Sequence, residues 1–542
     1  MAPPDQLKTN RSSDPETKAM PADCPDRPNI LIFLVDQMQA EVLAPGHPCR
    51  TPNLDRFAGA GVRFTRAFGP SPHCCPARAT FMSGLYPSRH GVFNNVSNET
   101  AFQPGLNAGV RLFSEHLRDA GYNLQHAGKW HVTNEETPAD RGWEELSRYE
   151  CKPAEPRRAL FRERAGESIP STKTRERGQV HRPGWGDTEV YGRTRDGAAA
   201  YEGTHYYKQA IRPALEAMPE LASRNAPWAM CVSTDMVPES PVPKELAELY
   251  PPASVQLPAS FADSMADKPN IYRKMRNQIW GQIGIDEAKA AVAHYWALCS
   301  LQDRFFGDLL DKLEETGQAE NTVVLFVSDH GDCNFAHGLQ QMGIPSFREN
   351  YNVSAVVRWP RGIRAPGRVV DEFITLADFA PTFIELAQGG VPEGLTGRSL
   401  VPFLEAQTPG DWPDAWFSQT KGNECYFTQR IAMTKEWKYV CNWFDFDELY
   451  DLTNDPHEMV NLAHPDRHPQ QEAYTGTPGA ELPYLPWPRL PDHLEAVRRD
   501  MMGRMWRFAE REQDIIFNGF PPVAVVPYGP LIGMVDDPPP SP

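Results

Sequence analysis

Four groups of residues in this 542-residue chain carry side chains able to do chemistry. Asp36-Gln37 and Asp329-His330 each follow a continuous apolar run, NILIFLV at 29–35 and TVVLFVS at 322–328. Such β-branched runs read as strands buried on both faces, and ligands of open α/β sheets bind beyond the carboxyl ends of strands. Oxygen donors with one imidazole suit Ca²⁺, Mg²⁺ or Mn²⁺, although Asp and Gln also serve turns after strands. The third group is Cys74-Cys75-Pro76-Ala77-Arg78, followed by Gly84. The fourth, Gly128-Lys129-Trp130-His131, ends another strand-like run, where a lysine and a histidine are equally at home as solvated residues. Adjacent cysteines lack the Cys-x-x-Cys spacing of a thiol redox pair, which disfavours that chemistry.

These groups need rigid elements to position them. Thr51-Pro52 supplies an N-cap and a first-turn proline for a helix through NLDRFAGAG. LFSEHLRDAGYNLQHAGKWH reads as a helix, a glycine stop and a return strand, PWAMCVS as a strand, and Ile285 to about Gly317 as a long amphipathic helix. Strands alternating with helices predict an α/β fold with a large, mainly parallel sheet sandwiched by helices. The expected organisation is a polar tail at 1–28, a catalytic α/β domain at 29–415 with an insertion at about 134–200, a smaller α+β domain at 416–512 and an extended tail at 513–542. That last segment is apolar yet broken by prolines, and makes a homo-oligomer the expectation.

Composition narrows the function classes. A formal charge of −17 without any Lys/Arg block argues against nucleic acid and anionic membrane surfaces as partners. A small anionic substrate would need a locally positive pocket. No apolar run reaches about 18 residues, the start does not read as a signal peptide, and the ten cysteines show no metal-type spacing. A cytoplasmic protein with reduced thiols is expected.

The Cys74-x-Pro76-Ala77-Arg78 stretch resembles the signature of the type I, formylglycine-dependent sulfatases of the alkaline phosphatase superfamily. The resemblance runs from about Asn29 to about Ala463: NILIFLVDQ, TPNLDRFAGAGVRFTRAF, GLYPSRHGV, AGKWH, VVLFVSDHGD, TGRSLVPFLE and ELYDLTNDPHEMVNLA occur in family order. Asp36-Gln37 and Asp329-His330 are similar to the pairs of the choline sulfatase and phosphonate monoester hydrolase branch. The resemblance implies an alkaline-phosphatase-like fold and hydrolysis of aryl or small alkyl sulfates by a metal-bound formylglycine hydrate. Cys74, with Pro at plus two and Arg at plus four, would be the residue converted by a formylglycine-generating enzyme; Cys75 has Ala at both positions. It further implies one divalent ion, Ca²⁺ or Mn²⁺, held by Asp36, Gln37, residue 74, Asp329 and His330. Arg78 would orient the diol beside Lys129, His131 would act as base, and Asn95 would contact the transferred group.

Two departures stand out. The family's Pro-His-x-Pro reads Pro238-Glu239-Ser240-Pro241 here, and the lysine expected after His-Gly-Leu is replaced by Gln341-Met342. An ionised Glu239 beside a sulfate is unfavourable, so it is expected in the substrate pocket as a protonated acid, or paired with a cationic part of the substrate, with Arg348 or with Lys244, or else as a solvated loop residue. Arg348 is the candidate to restore the lost lysine charge. His90, His337 and His294 read as structural. A phosphonate monoester or phosphodiester hydrolase with the same site is the nearest alternative, and a non-catalytic sulfatase-like binding protein is one from another class. Mass spectrometry of the tryptic peptide Ala67–Arg78, from protein produced with a formylglycine-generating enzyme, is expected to show an aldehyde at position 74 and a thiol at 75. An unmodified Cys74 in active protein contradicts this reading.

Overall fold

Every residue of the strands Asn29–Val35, Trp228–Thr234 and Thr322–Ser328 is buried in a computed structural model. It describes residues 27–96, 101–147, 174–182, 186–197, 201–224, 226–423, 425–464 and 490–517. These strands are central in an eight-stranded sheet ordered Arg368–Thr375, Val62–Phe68, Ala355–Arg358, Thr322–Ser328, Asn29–Val35, Trp228–Thr234, Asn123–Gly128, Glu144–Glu145. All neighbours run parallel except Ala355–Arg358, which is antiparallel to both strands beside it. The two-residue period of a strand divides the core. Leu31, Phe33 and Val35 pack with the 31-residue helix Ile285–Glu315 on one face. Ile30, Ile32 and Leu34 pack with the helices Cys74–Ser83 and Phe379–Leu386 on the other. This is the helix-covered, mainly parallel sheet that the sequence predicts.

A separate four-stranded antiparallel sheet follows, Trp416–Thr420, Gln429–Met433, Trp437–Asn442 and Glu448–Asp451. The helix Asp492–Arg511 covers it through Met501, Met502, Met505 and Trp506. Residues 1–26 and 518–542 of the expected tails, and 148–173, 183–185 and 198–200 of the expected insertion, lie outside the described residues. No described helix is long and apolar enough to cross a membrane.

One local expectation is corrected. The helix Pro52–Gly59 begins where predicted, with proline in its first turn, but the Thr51 side chain does not cap it. Asp303 of the long helix does so instead, accepting from the amides of Leu54 at 2.7 Å and Asn53 at 3.3 Å. Burial raises this carboxyl to a pKa of about 6 despite those bonds. A cap from a distant element joins the two helices as well as satisfying the free amides.

Register brings the chemical groups together. Val35 lies opposite Ser328, so Asp36 and Asp329 emerge side by side; Gly128 lies opposite Ser233, so Lys129 emerges next to Asp235. At Gly128 the chain turns with φ of 91°, and a Cβ there would sit 2.0 Å from the Ser233 carbonyl oxygen. Only glycine meets both conditions without moving backbone. Gly128→Ala is expected to destabilise the protein by about 1–3 kcal/mol, read as a lower denaturation midpoint; an unchanged midpoint would show that this strand end is not strained.

Candidate active site

Cys74 is the first residue of the helix Cys74–Ser83, which is buried throughout and ends at Gly84 with φ of 71°. The extended backbone of His73 aims the helix start at the two strand ends. Cys74 Sγ lies 3.2 Å from His330 Nε2 and 3.5 Å from Asp36 Oδ1. Asp36, Cys74, Asp329 and His330 offer ligand atoms that all fall within 4.8 Å of one another. His330 Nδ1 donates to the Gly331 carbonyl at 2.8 Å, leaving Nε2 directed at the cluster. Such an outer hydrogen bond is how a metal-binding imidazole is usually fixed.

Electrostatics show what the cluster lacks. Burial opposes charge on His330, yet Asp329, Cys74 and Asp36 outweigh it and hold the imidazole well above its ordinary pKa. With protein groups alone around it, a proton supplies the positive charge that two adjacent carboxylates require. Burial and Asp329 push Asp36 up, but Lys129 and His330 prevail and keep it below the usual carboxylate range. Asp329 is held at about 2: burial works against this, and His330, Arg78 and Lys129 overcome it. A divalent cation fits this donor set, replacing the proton on Nε2 with two charges among anions that stay ionised. Gln37 belongs to the same turn, with φ of 60°. Its Nε2 donates to Asp332 at 2.5 Å, which leaves the amide oxygen as the atom available to a cation.

Cations surround the other side. Arg78 donates from Nε to Asp329 at 2.8 Å and from one terminal nitrogen to Ser233 Oγ at 2.7 Å and the Lys129 carbonyl at 3.2 Å. Lys129 forms ion pairs with Asp36 and, at 3.1 Å, with Asp235, and its ammonium is 3.9 Å from Cys74 Sγ. The Cys74 thiol is pushed up by burial and then by Asp36, against Lys129 and His330. Unmodified, it stays protonated at neutral pH and is a weak nucleophile.

The remaining expected residues divide. His131 follows Lys129 with φ of 51°, and burial, then Lys129 and Arg78, push it down to about 3, so the ring is neutral. Asn95 accepts from the Cys75 amide at 3.0 Å, and its own amide donates to Asn423 Oδ1 at 3.1 Å. Cys75 points into the apolar core on the helix side of the sheet. Glu239 is exposed to solvent, as a solvated loop residue would be; nearby protein, then Asp235, Glu189 and Asp332, raise its carboxyl. The structure does not bring Arg348 or Lys244 to it. Arg348 faces Glu41 at 3.7 Å, and Lys244 faces Asp196 at 3.8 Å. Arg348 begins a four-residue helix. In place of the lysine expected after His-Gly-Leu, Met342 sets its Sδ 4.0 Å from Cys74 Sγ. Sequence reasoning missed Asp235, whose signal was its place one residue beyond the strand Trp228–Thr234. His90 and His294 are structural as expected, bonded to Thr80 Oγ1 at 2.9 Å and the Ser240 carbonyl at 2.7 Å.

A hydrolase of the alkaline-phosphatase-like α/β class is defined by this sheet and the cation-ready cluster at its strand ends. The chain belongs to the sulfatase family, whose model matches residues 28–390. A second model, N-sulphoglucosamine sulphohydrolase, C-terminal, matches residues 345–474. The chain is 29% identical over 442 residues to an uncharacterized sulfatase, YidJ, of Escherichia coli K12, covering 80% of this chain and 83% of that one. It is 26% identical to a choline-sulfatase of Rhizobium meliloti, covering 89% and 90%. The solved phosphonate monoester hydrolase of Agrobacterium radiobacter shares the fold, with a TM-score of 0.67 at 22% identity over 90% of this chain and 96% of that one. Lys129→Ala is expected to lower kcat on an aryl sulfate by about 10²–10³-fold, the scale for losing one charge-stabilising donor. Steady-state kinetics with undiminished turnover would remove Lys129 from the chemistry.

Proposed function

We propose that this protein hydrolyses sulfate esters of small alcohols or phenols with a formylglycine made from Cys74 as nucleophile. The observation carrying this reading is the convergence of residue 74, two ionised carboxylates, His330, Lys129 and Arg78 in one buried cluster. A sulfate monoester resists attack because its oxygens repel nucleophiles, so positive charge must gather around it first. Asp36, Asp329, His330 and the Gln37 amide oxygen would hold a Ca²⁺ or Mn²⁺ ion, which would supply Lewis-acid charge to the sulfate and to the residue 74 hydroxyls.

The chain's own groups do the rest. Lys129 stabilises charge on the sulfate oxygens and on the attacking oxygen. Arg78, locked by Asp329 and Ser233, fixes the helix head against the strand ends. Neutral His131 takes the proton of the second hydroxyl, whose oxygen then restores the aldehyde and releases sulfate, a form of covalent catalysis. Asn95 contributes its side-chain NH₂ to the transferred group, its carbonyl being held by the Cys75 amide. Glu239, exposed at the loop after the strand Trp228–Thr234, is the candidate to donate a proton to the departing alcohol. A non-catalytic binding role would not require the nucleophile position, the carboxylates and both cations in contact.

Further parts of the reading have separate support. The eight described cysteines form no disulfide, in keeping with a reducing cytoplasm. The buried, high-pKa thiol at 74 argues for maturation by a formylglycine-generating enzyme. A boundary near residue 415 fits the change from the mixed sheet to the antiparallel one, and the apolar tail at 513–542 suits association between copies. Turnover of an aryl sulfate is expected to exceed that of a phenyl phosphonate monoester in kcat/KM. The reverse order transfers the assignment to phosphonate hydrolysis with the same residues, and loss of both activities with mature protein would leave binding alone.

A further inference from the structure

A second group of ligand-type side chains lies apart from Cys74. His337 sits on the turn Ala336–Gly338 with φ of 52°, wholly buried, its ring stacked on Phe347 with centroids 3.5 Å apart. Nδ1 is 2.8 Å from Asp263 Oδ2, and Lys268 Nζ is 3.6 Å from the same oxygen. Asp263 thus lies between the His337 ring and the Lys268 ammonium, as an ionised carboxylate would. An ionised carboxylate only accepts, so Nδ1 carries the proton and Nε2 presents a lone pair. That nitrogen is buried and has no hydrogen-bond partner, and Glu349 Oε2 is in the same condition. An imidazolium would leave the same nitrogen as an unpaired donor. Glu458 is also fully buried, with Lys438 Nζ at 2.8 Å from Oε1 and the Arg348 amide at 3.1 Å from Oε2.

One ligand atom from each of His337, Glu349 and Glu458 lies within 4.8 Å of the other two. Two buried acceptors without a donor, His337 Nε2 and Glu349 Oε2, are costly, and a cation held between them and Glu458 satisfies both at once. We propose that His337, Glu349 and Glu458 bind a second divalent metal ion, Zn²⁺ foremost, independent of the ion at Cys74. One imidazole nitrogen and two carboxylates form a typical donor set for zinc. Asp263 on the far ring nitrogen completes the carboxylate–histidine–metal arrangement that fixes ring orientation and strengthens the ligand. His337 and Glu349 come from the segment after the strand Thr322–Ser328, Glu458 from the loop after the strand Glu448–Asp451. The ion therefore fastens the small sheet to the large one, on the same segment that presents Met342 to Cys74. His337, read from sequence as merely structural, becomes a ligand.

The test is a metal count on the full-length protein, stripped with chelator, reloaded with Zn²⁺ and desalted. Wild type is expected to retain an ion that Asp36→Asn does not remove, and that Glu349→Gln and His337→Gln each do. Crystals of the zinc-loaded wild type should show an anomalous zinc peak between the three side chains. Circular dichroism confirms that each variant is folded, and the wild-type peak decides the matter if either is not. Ion content unchanged in both folded variants, or no anomalous density between these residues, overturns the proposal; water or a shared proton would then fill the space.

Discussion

Two carboxylates forced together in a dry place are the constraint on which the site depends. The parallel register of the two central strands leaves no alternative: each strand is buried on both faces, and one residue past its end the chain must leave the sheet at the same height as its neighbour. Like charges that close would ordinarily drive one carboxyl to hold a proton. Here Arg78, Lys129 and His330 supply enough positive charge to keep both ionised, and each of the three is itself buried. Breaking one partner would leave an uncompensated charge, the expensive failure of a buried ion network. The cluster is thus poised for a cation and for an anionic ester, because it has excess negative charge on one side and anchored positive charge on the other.

Legibility from sequence followed the physics of each residue. Asp36 and Asp329 were readable because they terminate unbroken apolar runs, and such runs have few possible structures. Cys74 was separable from Cys75 by register against Pro76 and Arg78, and the structure sends the two side chains to opposite destinations, one to the carboxylates and one to the core. The mainly parallel sheet followed from the alternation of strand and helix patterns. What could not be read was direction. Arg348 has the right charge and an approximately right position, but a four-residue helix sends it to Glu41. The cap on Pro52–Gly59 comes from 250 residues away, and a local pattern such as Thr-Pro cannot announce a distant carboxylate. Asp235 carried only the weak signal of a strand end.

The replacement of a lysine by methionine beside residue 74 changes the character of the pocket. A thioether is soft, uncharged and flexible, so this wall contributes contact area where relatives of this pattern would contribute an ammonium. Together with Glu239 in place of an imidazole, the substrate side has fewer cations than the metal side. Under the proposed sulfate-ester reading, affinity for the sulfate group would rest more heavily on Lys129, and selectivity would have more room to come from the organic part of the ester.

Burial of Cys74, with 3% of its surface accessible, would set an order of events for the maturation proposed above. A side chain closed in by His330, Asp36 and Met342 cannot enter another enzyme's catalytic cleft at the same time, so the conversion proposed for residue 74 would have to come before the helix head docks on the strand tips. Chain emergence and folding rate become a clock for maturation. Molecules that close too early would be well packed and permanently inert, indistinguishable in shape from the competent ones.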